Sequence, residues 1–163
     1  FFKQDMGQPR LAAKQDMPRV LELIQELATF EKETNAVEVT LTDLEKDGFS
    51  ENPKFVCFVL EVNNSVEGIA LIYTRYSTWK GEVLHLEDLI ISEKCRGKGL
   101  GTKLLDAVVN YGKEIGVKRI SWEVLDWNET AIKFYKSKGA NVMRDWDVVQ
   151  LNENGIENYL KNI

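Results

Sequence analysis

Histidine is nearly absent from this chain: His85 is the only one among 163 residues. Cysteine occurs twice, at Cys57 and Cys95. No His/Cys/Asp cluster has metal-ligand spacing, so no metal is expected. The spacing of the two cysteines suggests no disulfide, and two free thiols in a reducing compartment are expected. No stretch approaches the ~18 apolar residues of a membrane span, and no signal-peptide pattern is seen. A cytoplasmic location without a membrane partner is the resulting expectation. Positive charge is in deficit, with 21 Lys and Arg against 26 Asp and Glu, a net charge of −5. Non-specific nucleic-acid binding needs clustered cations, so no nucleic-acid partner is expected. Cationic partners suit the chain better, provided the acids converge in one place.

What is present is a hydrophobic content of 44% and a length suited to one globular domain. "KQDM" occurs at 3–6 and again at 14–17. Residues 1–8 are set aside as an expression remnant or a disordered lead. Residues 9–13 then read as a short strand, and Asp16 as the cap of a helix with Pro18 in its first turn. Val20, Leu21, Ile24, Leu27 and Ala28 share one face of that helix. Residues 40–49 read as a second helix ended by Gly48. Residues 54–62, 66–76 and 82–92 are three consecutive strands, the first two a hairpin through "NNS". A helix runs from the glycine-rich stretch to about 115 and stops at Gly116. A strand at 118–125, a helix at 127–140 capped by Asn128 and stopped by Gly139, a strand at 147–151 and a short helix at 157–162 complete the chain. The Asn-x-Ser/Thr patterns at 63–65 and 128–130 read as that turn and that cap. The order indicates a single α/β or α+β domain with a mixed sheet.

"CRGKGLGTKLL" (95–105) places glycines at Gly97, Gly99 and Gly101 just before a helix. Alternating glycines permit positive φ and leave successive N–H groups facing one spot. The helix N-terminus adds partial positive charge there, which suits a pyrophosphate. Arg96 and Lys98 add charge at the rim. The spacing is neither Walker A nor G-x-G-x-x-G, and a plain strand-to-helix turn is the competing reading.

"RGKGLG" at Arg96–Gly101 resembles the Arg/Gln-x-x-Gly-x-Gly/Ala signature of the GNAT family of N-acetyltransferases. "LEDLII" (86–91) resembles that family's fourth strand and "WNETAIKFYKSKGA" (127–140) its next conserved block. The order of elements is similar from about residue 9 to 151. "LIQELATFEK", "LTDLEKDGF", "HLEDL" and the 127–140 block together resemble the diamine (spermidine/spermine) acetyltransferases and their thialysine-acetylating relatives. The resemblance implies an N-acetyltransferase domain over 9–163, with a mostly antiparallel sheet flanked by helices on both faces.

It also implies direct acetyl transfer from acetyl-CoA to a primary amine in a ternary complex. The amine must lose a proton and the departing thiolate needs a donor. Tyr135 stands at the family's catalytic tyrosine and is the implied donor; packing in the core is its other reading. Glu87 is the implied base, directly or through water, or an anchor for the cationic substrate. Asp88, its neighbour on a strand, is expected on the opposite face, contributing to amine binding from the sheet's other side or its edge. Phe30 and Glu31 fall where the subfamily holds its amine with a tyrosine and an acid, and Glu123 near substrate. Backbone groups of Leu89, Ile90 and Ile91 are implied to meet the pantetheine arm. Arg96, Gly97, Lys98, Gly99, Leu100, Gly101 and Thr102 would meet the phosphates, and Asn128 and Ala131 the cofactor as well. His85 replaces an aromatic and is read as structural, and Cys95 as inert.

The implied acceptor is a small di- or polyamine. One alternative is the side-chain amine of an amino acid such as thialysine or lysine, whose α-carboxylate would want Arg75 or Lys80 beside it. The other is a CoA-binding regulatory module without turnover. The resemblance implies a homodimer.

Overall fold

The computed structural model describes residues 5–163. The chain forms two compact units, Phe1–Glu123 and Val124–Ile163.

The first unit is built on a five-stranded sheet in sequential order: β1 (Arg10–Leu11), β2 (Val56–Val62), β3 (Ser65–Ser77), β4 (Gly81–Ile91) and β5 (Ile120–Ser121). The first four pair antiparallel and β5 joins β4 in parallel. The expected mixed, mostly antiparallel sheet is present. The strand expected at 118–125 shrinks to two residues, because β5 pairs only at Leu84–Ile120 and His85–Ser121 before parting from β4.

Helices cover both faces. Met17, Val20 and Leu23 of α1 (Met17–Phe30) and Leu44 of α2 (Leu41–Phe49) pack with Cys57, Val59, Ile69 and Ile90. Each large side chain so buried contributes roughly 1.5–3 kcal/mol. The alternate residue of β2, Phe58, points the other way and meets Tyr111 of α3 (Leu100–Ile115) edge-on, ring centroids 6.0 Å apart.

Local chemistry explains where helices begin and end. Asp16 does not cap α1 as expected: its carboxylate accepts the Ala13 N–H at 2.7 Å and two bonds from Arg10, closing a 3-10 turn ahead of the helix. Thr40 and Asp43 bond reciprocally at the start of α2. Gly48 does not end α2, which runs to Phe49. The glycine is there for room: a Cβ would stand 2.5 Å from the Phe55 ring. Gly116 ends α3 with φ of 79°, as expected.

The excluded lead is divided. Residues 1–4 lie outside the described residues. Met6 bridges to Val62, and the Gly7 N–H donates to the Glu61 carbonyl at 2.9 Å.

The second unit contains α4 (Glu129–Ser137) and α5 (Glu153–Lys161). Asn128 accepts from the Ala131 N–H at 3.3 Å, the expected cap, and Gly139 follows the helix end with φ of 88°. The last helix starts earlier than expected because Asn152 caps it, accepting from the Gly155 N–H at 2.8 Å. Residues 147–151 are not a strand. Their apolar side chains favour extension, but this unit has no strand among the described residues for them to pair with.

Candidate active site

The centre of the site is an irregularity in β4. Tyr73 pairs with His85, Ile72 with Leu86 and Leu71 with Asp88, so Glu87 is an extra residue without a partner on β3. Tyr73 and Leu71 are two apart and share a face. Their partners His85 and Asp88 must share it too, although three residues apart. Glu87, whose Oε2 lies 3.5 Å from His85 Nε2, lies there as well. The expected opposite placement of Glu87 and Asp88 is therefore overturned: a bulge puts both on one face. That face is the one under α1, since Ile69 and Ile90 continue it into the α1 core.

The acids converge there. Burial pushes the Asp88 carboxyl up to about 6, and the negative charges of Glu87 and Glu31 push the same way. Glu31, immediately after α1, is raised by its own burial and then by Glu33. The Tyr73 phenol is raised by burial, with Glu87 and Glu123 adding to it. His85 is 6% exposed, and burial lowers its pKa against the pull of Glu87, so the ring is neutral at pH 7. Its Nδ1 lies 3.2 Å from Ser121 Oγ and 3.4 Å from Arg75 Nη1. Thus Glu31, Glu87 and Asp88 form one electrostatic group, and Glu123 acts on its Tyr73–His85 end. Phe30, 42% exposed, lies under the Arg96 guanidinium, 5.0 Å from centroid to Cζ.

The glycine stretch follows the end of β4. A 3-10 turn (Glu93–Cys95) is held from below: the Ser92 N–H donates to the Glu67 carbonyl at 2.8 Å and the Glu93 N–H to Glu26 Oε1 at 2.7 Å. Glu67 is 2% exposed, between Arg19 and Lys94, each at 3.0 Å. Burial works against its ionisation, but the cations Lys94 and Arg19 at its two oxygens outweigh it and hold its pKa at about 2. Gly97 and Gly99 then both take φ of 78°, and a Cβ at either would meet nothing within 4 Å. Gly101 and Thr102 lie in the first turn of α3. The Lys103 N–H reaches the Gly99 carbonyl at 3.3 Å. The amides before it, on Leu100, Gly101 and Thr102, have no intrahelical acceptor. Open space, two left-handed glycines and a helix start fit a phosphate-bearing cofactor.

Leu89 and Ile91 pair with Ala70 and Gly68 on one edge of β4, while Ile90 is buried against α1. Beyond His85 no strand among the described residues pairs with the other edge. That open ladder fits an amide-bearing arm laid along it. Arg96 does not only project as rim charge: its Nε donates to the Ile91 carbonyl at 3.1 Å. Both cysteines are free and buried, and burial takes the Cys57 thiol up to about 12. Asn128, Ala131 and Tyr135 belong to the second unit, where the Tyr135 ring lies 5.5 Å from that of Phe134.

Sequence reasoning passed over Tyr73 and Ser121 at this site. Period-two spacing puts Tyr73 and Arg75 on one strand face, but only the register brings them to His85.

The profile of the Acetyltransferase (GNAT) family matches residues 17–140. The chain belongs to the GNAT family. It is an N-acetyltransferase, and the family uses acetyl-CoA to acetylate amines. The thialysine N-epsilon-acetyltransferase of Bos taurus is 37% identical over 139 residues, 80% of this chain and 82% of that protein. The human spermidine/spermine N(1)-acetyltransferase-like protein 1 is 36% identical over 143 residues, 83% of this chain but 21% of that much longer protein. The L-ornithine N5-acetyltransferase of Arabidopsis thaliana is 26% identical, covering 91% of this chain and 85% of its own. Among solved structures, an integron cassette protein from V. cholerae superposes with TM-score 0.77 at 23% identity, covering 99% of both chains. An aminoglycoside N-acetyltransferase in complex with CoA gives TM-score 0.72 at 16% identity, covering 91% of this chain and 96% of its own. These last two share the fold of this chain.

Proposed function

We propose that this GNAT enzyme transfers acetyl from acetyl-CoA directly to a primary amine of a small, multiply charged acceptor, within one ternary complex. The observation that carries this is the convergence of Glu87 and Asp88 on one sheet face, with the charge of Glu31, at the end of α1, acting on Asp88. Such a face attracts a cation and excludes an anionic one. The bound coenzyme supplies an activated thioester. The residues of this chain supply position and proton traffic. The amides of Leu100, Gly101 and Thr102, with Gly97 and Gly99 giving room, hold the pyrophosphate. Arg96 and Lys98 flank it, and the open edge of β4 at Leu89–Ile91 takes the pantetheine amides. Asn128 and Ala131 are assigned to the same cofactor.

An amine near pKa 10 is protonated at pH 7 and must lose a proton to attack. Asp88, with a pKa of about 6, is matched to accept it near neutral pH. Glu87, more exposed, is suited to anchor the cation. This exchanges the roles the resemblance implied for the two. Tyr135 is proposed to protonate the leaving thiolate. Phe30, Glu31 and Glu123 are proposed to line the acceptor. The catalytic domain is proposed to span residues 9–163.

A homodimer in the cytoplasm is also proposed. Its support is an apolar run in the second unit, with Val148 63%, Val149 91% and Leu151 62% exposed. Sedimentation returning a monomer at micromolar concentration overturns the dimer.

The test of function is a panel of small amines incubated with acetyl-CoA, with free thiol followed over time. Amine-dependent thiol release is expected. Release with no amine in a broad panel overturns the reading.

A further inference from the structure

We propose that Glu26 is a positioning residue for the coenzyme: from α1 it fixes the near end of the glycine loop, and so sets the affinity for the coenzyme's phosphates. This rests on the acetyl-transfer reading above and adds a residue to its coenzyme site.

An acid in this place runs against the charge of the ligand, because a carboxylate beneath a phosphate loop repels the phosphates. Glu26 is half-buried on α1, and its Oε1 accepts the Glu93 N–H at 2.7 Å. A carboxylate on an amide at that distance makes a short, charge-assisted bond. Glu93 opens the 3-10 turn that leads into the glycines, and Ser92 ahead of it gives that turn no side-chain cap. Glu26 supplies the cap from another element.

That bond is one of three along a single row of α1, made by Arg19, Glu26 and Phe30, spaced seven and four residues apart. Arg19 meets Glu67 at 3.0 Å, and the other oxygen of Glu67 meets Lys94 at 3.0 Å. Phe30 lies under the Arg96 guanidinium. Of the three, Glu26 is the one that holds main chain of the turn. An open cleft is lined by Arg19 and Glu26 on the α1 side and by Ser92, Glu93 and Lys94 on the other, so polar bonds rather than packing span the gap.

Beyond the turn, Gly97 and Gly99 stand in open space with φ of 78°. Glycine constrains its own backbone least, so the shape of this segment is set from its ends. The far end is fixed by α3, where Leu100 and Leu104 are buried. The near end is fixed by Glu26. Met17, Val20 and Leu23 anchor α1 in the core, so loss of the bond releases the loop and leaves the helix in place.

Three variants separate reach from charge, with CoA binding read by calorimetry. Glu26→Ala is expected to weaken CoA by roughly tenfold or more. Glu26→Asp keeps the charge but withdraws the oxygen, and is expected to weaken CoA as well. Glu26→Gln keeps an accepting oxygen and removes the repulsion, so CoA is expected to bind as in wild type or tighter. Charge acting alone gives the opposite pattern: tighter binding in Glu26→Ala and no change in Glu26→Asp. In the coenzyme-free protein, amide exchange over residues 93–99 is expected to quicken in Glu26→Ala and not in Glu26→Gln. Alanine suits a helix, so the first variant is expected to fold, with melting temperature as control. Wild-type affinity or better in Glu26→Ala, or an equal loss in Glu26→Gln, overturns the proposal and leaves acetyl transfer standing. Wild-type protein that does not bind CoA overturns both.

Discussion

Glu87 and Asp88 are consecutive residues of one strand, yet both lie on the face covered by α1. The register shift between Leu71 and Ile72 on the facing strand leaves Glu87 unpartnered and turns Asp88 inward beside it. Two carboxyl groups and Glu31 are held where at most a cationic ligand relieves their repulsion.

Asp88 is expected to cost stability at neutral pH. Its carboxyl rises from 3.8 to about 6 on folding. The folded chain therefore holds this proton more tightly than the unfolded chain. Stability falls as pH rises from about 4 to 6 and stays lower above that. The cost of ionising it is on the order of 1–3 kcal/mol. Asp88→Asn is expected to raise the denaturation midpoint at pH 7.5, with the gain shrinking toward pH 4, and to lower kcat by about 100-fold or more. Urea titrations at the two pH values read the first effect. A variant no more stable than wild type at pH 7.5 contradicts the raised Asp88 carboxyl.

Tyr135→Phe removes one hydroxyl and little volume. Loss of a proton donor to the thiolate lowers turnover by about 10²–10⁴-fold, while coenzyme binding, made by other groups, is expected to hold. Steady-state kinetics and a calorimetric titration with CoA separate the two. Turnover close to wild type rules out Tyr135 as the donor.

Much of this is legible in the sequence wherever the signal is local. Helix faces follow from 3.6-residue spacing, as at Val20, Ile24 and Leu27, and ends from Asn128 and Gly116. The glycines at 97 and 99 announce positive φ by residue type alone. What escapes is set by partners distant in sequence. The bulge at Glu87 exists only as a mismatch between two strands, so alternation placed Asp88 on the wrong face. Val148, Val149 and Leu151 have the composition of a strand, but a strand needs a neighbour as much as propensity. Asp16 has the right residue type for a cap, yet Arg10 and the Ala13 amide hold its carboxylate elsewhere.

Glu67 is expected to work in the opposite sense from Asp88. Its carboxyl falls from 4.5 to about 2 on folding. The stability it contributes is complete above about pH 4.5 and is lost as pH falls toward 2. Glu67→Gln is expected to lower stability at pH 7 by about 1–2 kcal/mol, the full shift being trimmed because Lys94 reaches it from solvent. The same comparison at pH 3 should show a smaller difference. Equal losses at both pH values would mean that packing, not charge, carries the effect.

Gly99 joins the fold to the chemistry. Its φ of 78° is costly for any other residue, and most of all for a β-branched one. Space around its missing Cβ is open, so Gly99→Val does not clash with the protein itself. The substitution instead pulls the backbone out of the left-handed region and moves the amides of Leu100 and Gly101 off a common focus. A tenfold or greater weakening of CoA binding is expected, larger for Val than for Ala, with a melting temperature only a few degrees lower. The acceptor's KM, proposed to be set by Glu31, Glu87 and Asp88, should stay near wild type at saturating coenzyme. Undiminished CoA affinity in Gly99→Val would mean that these amides do not hold the phosphates.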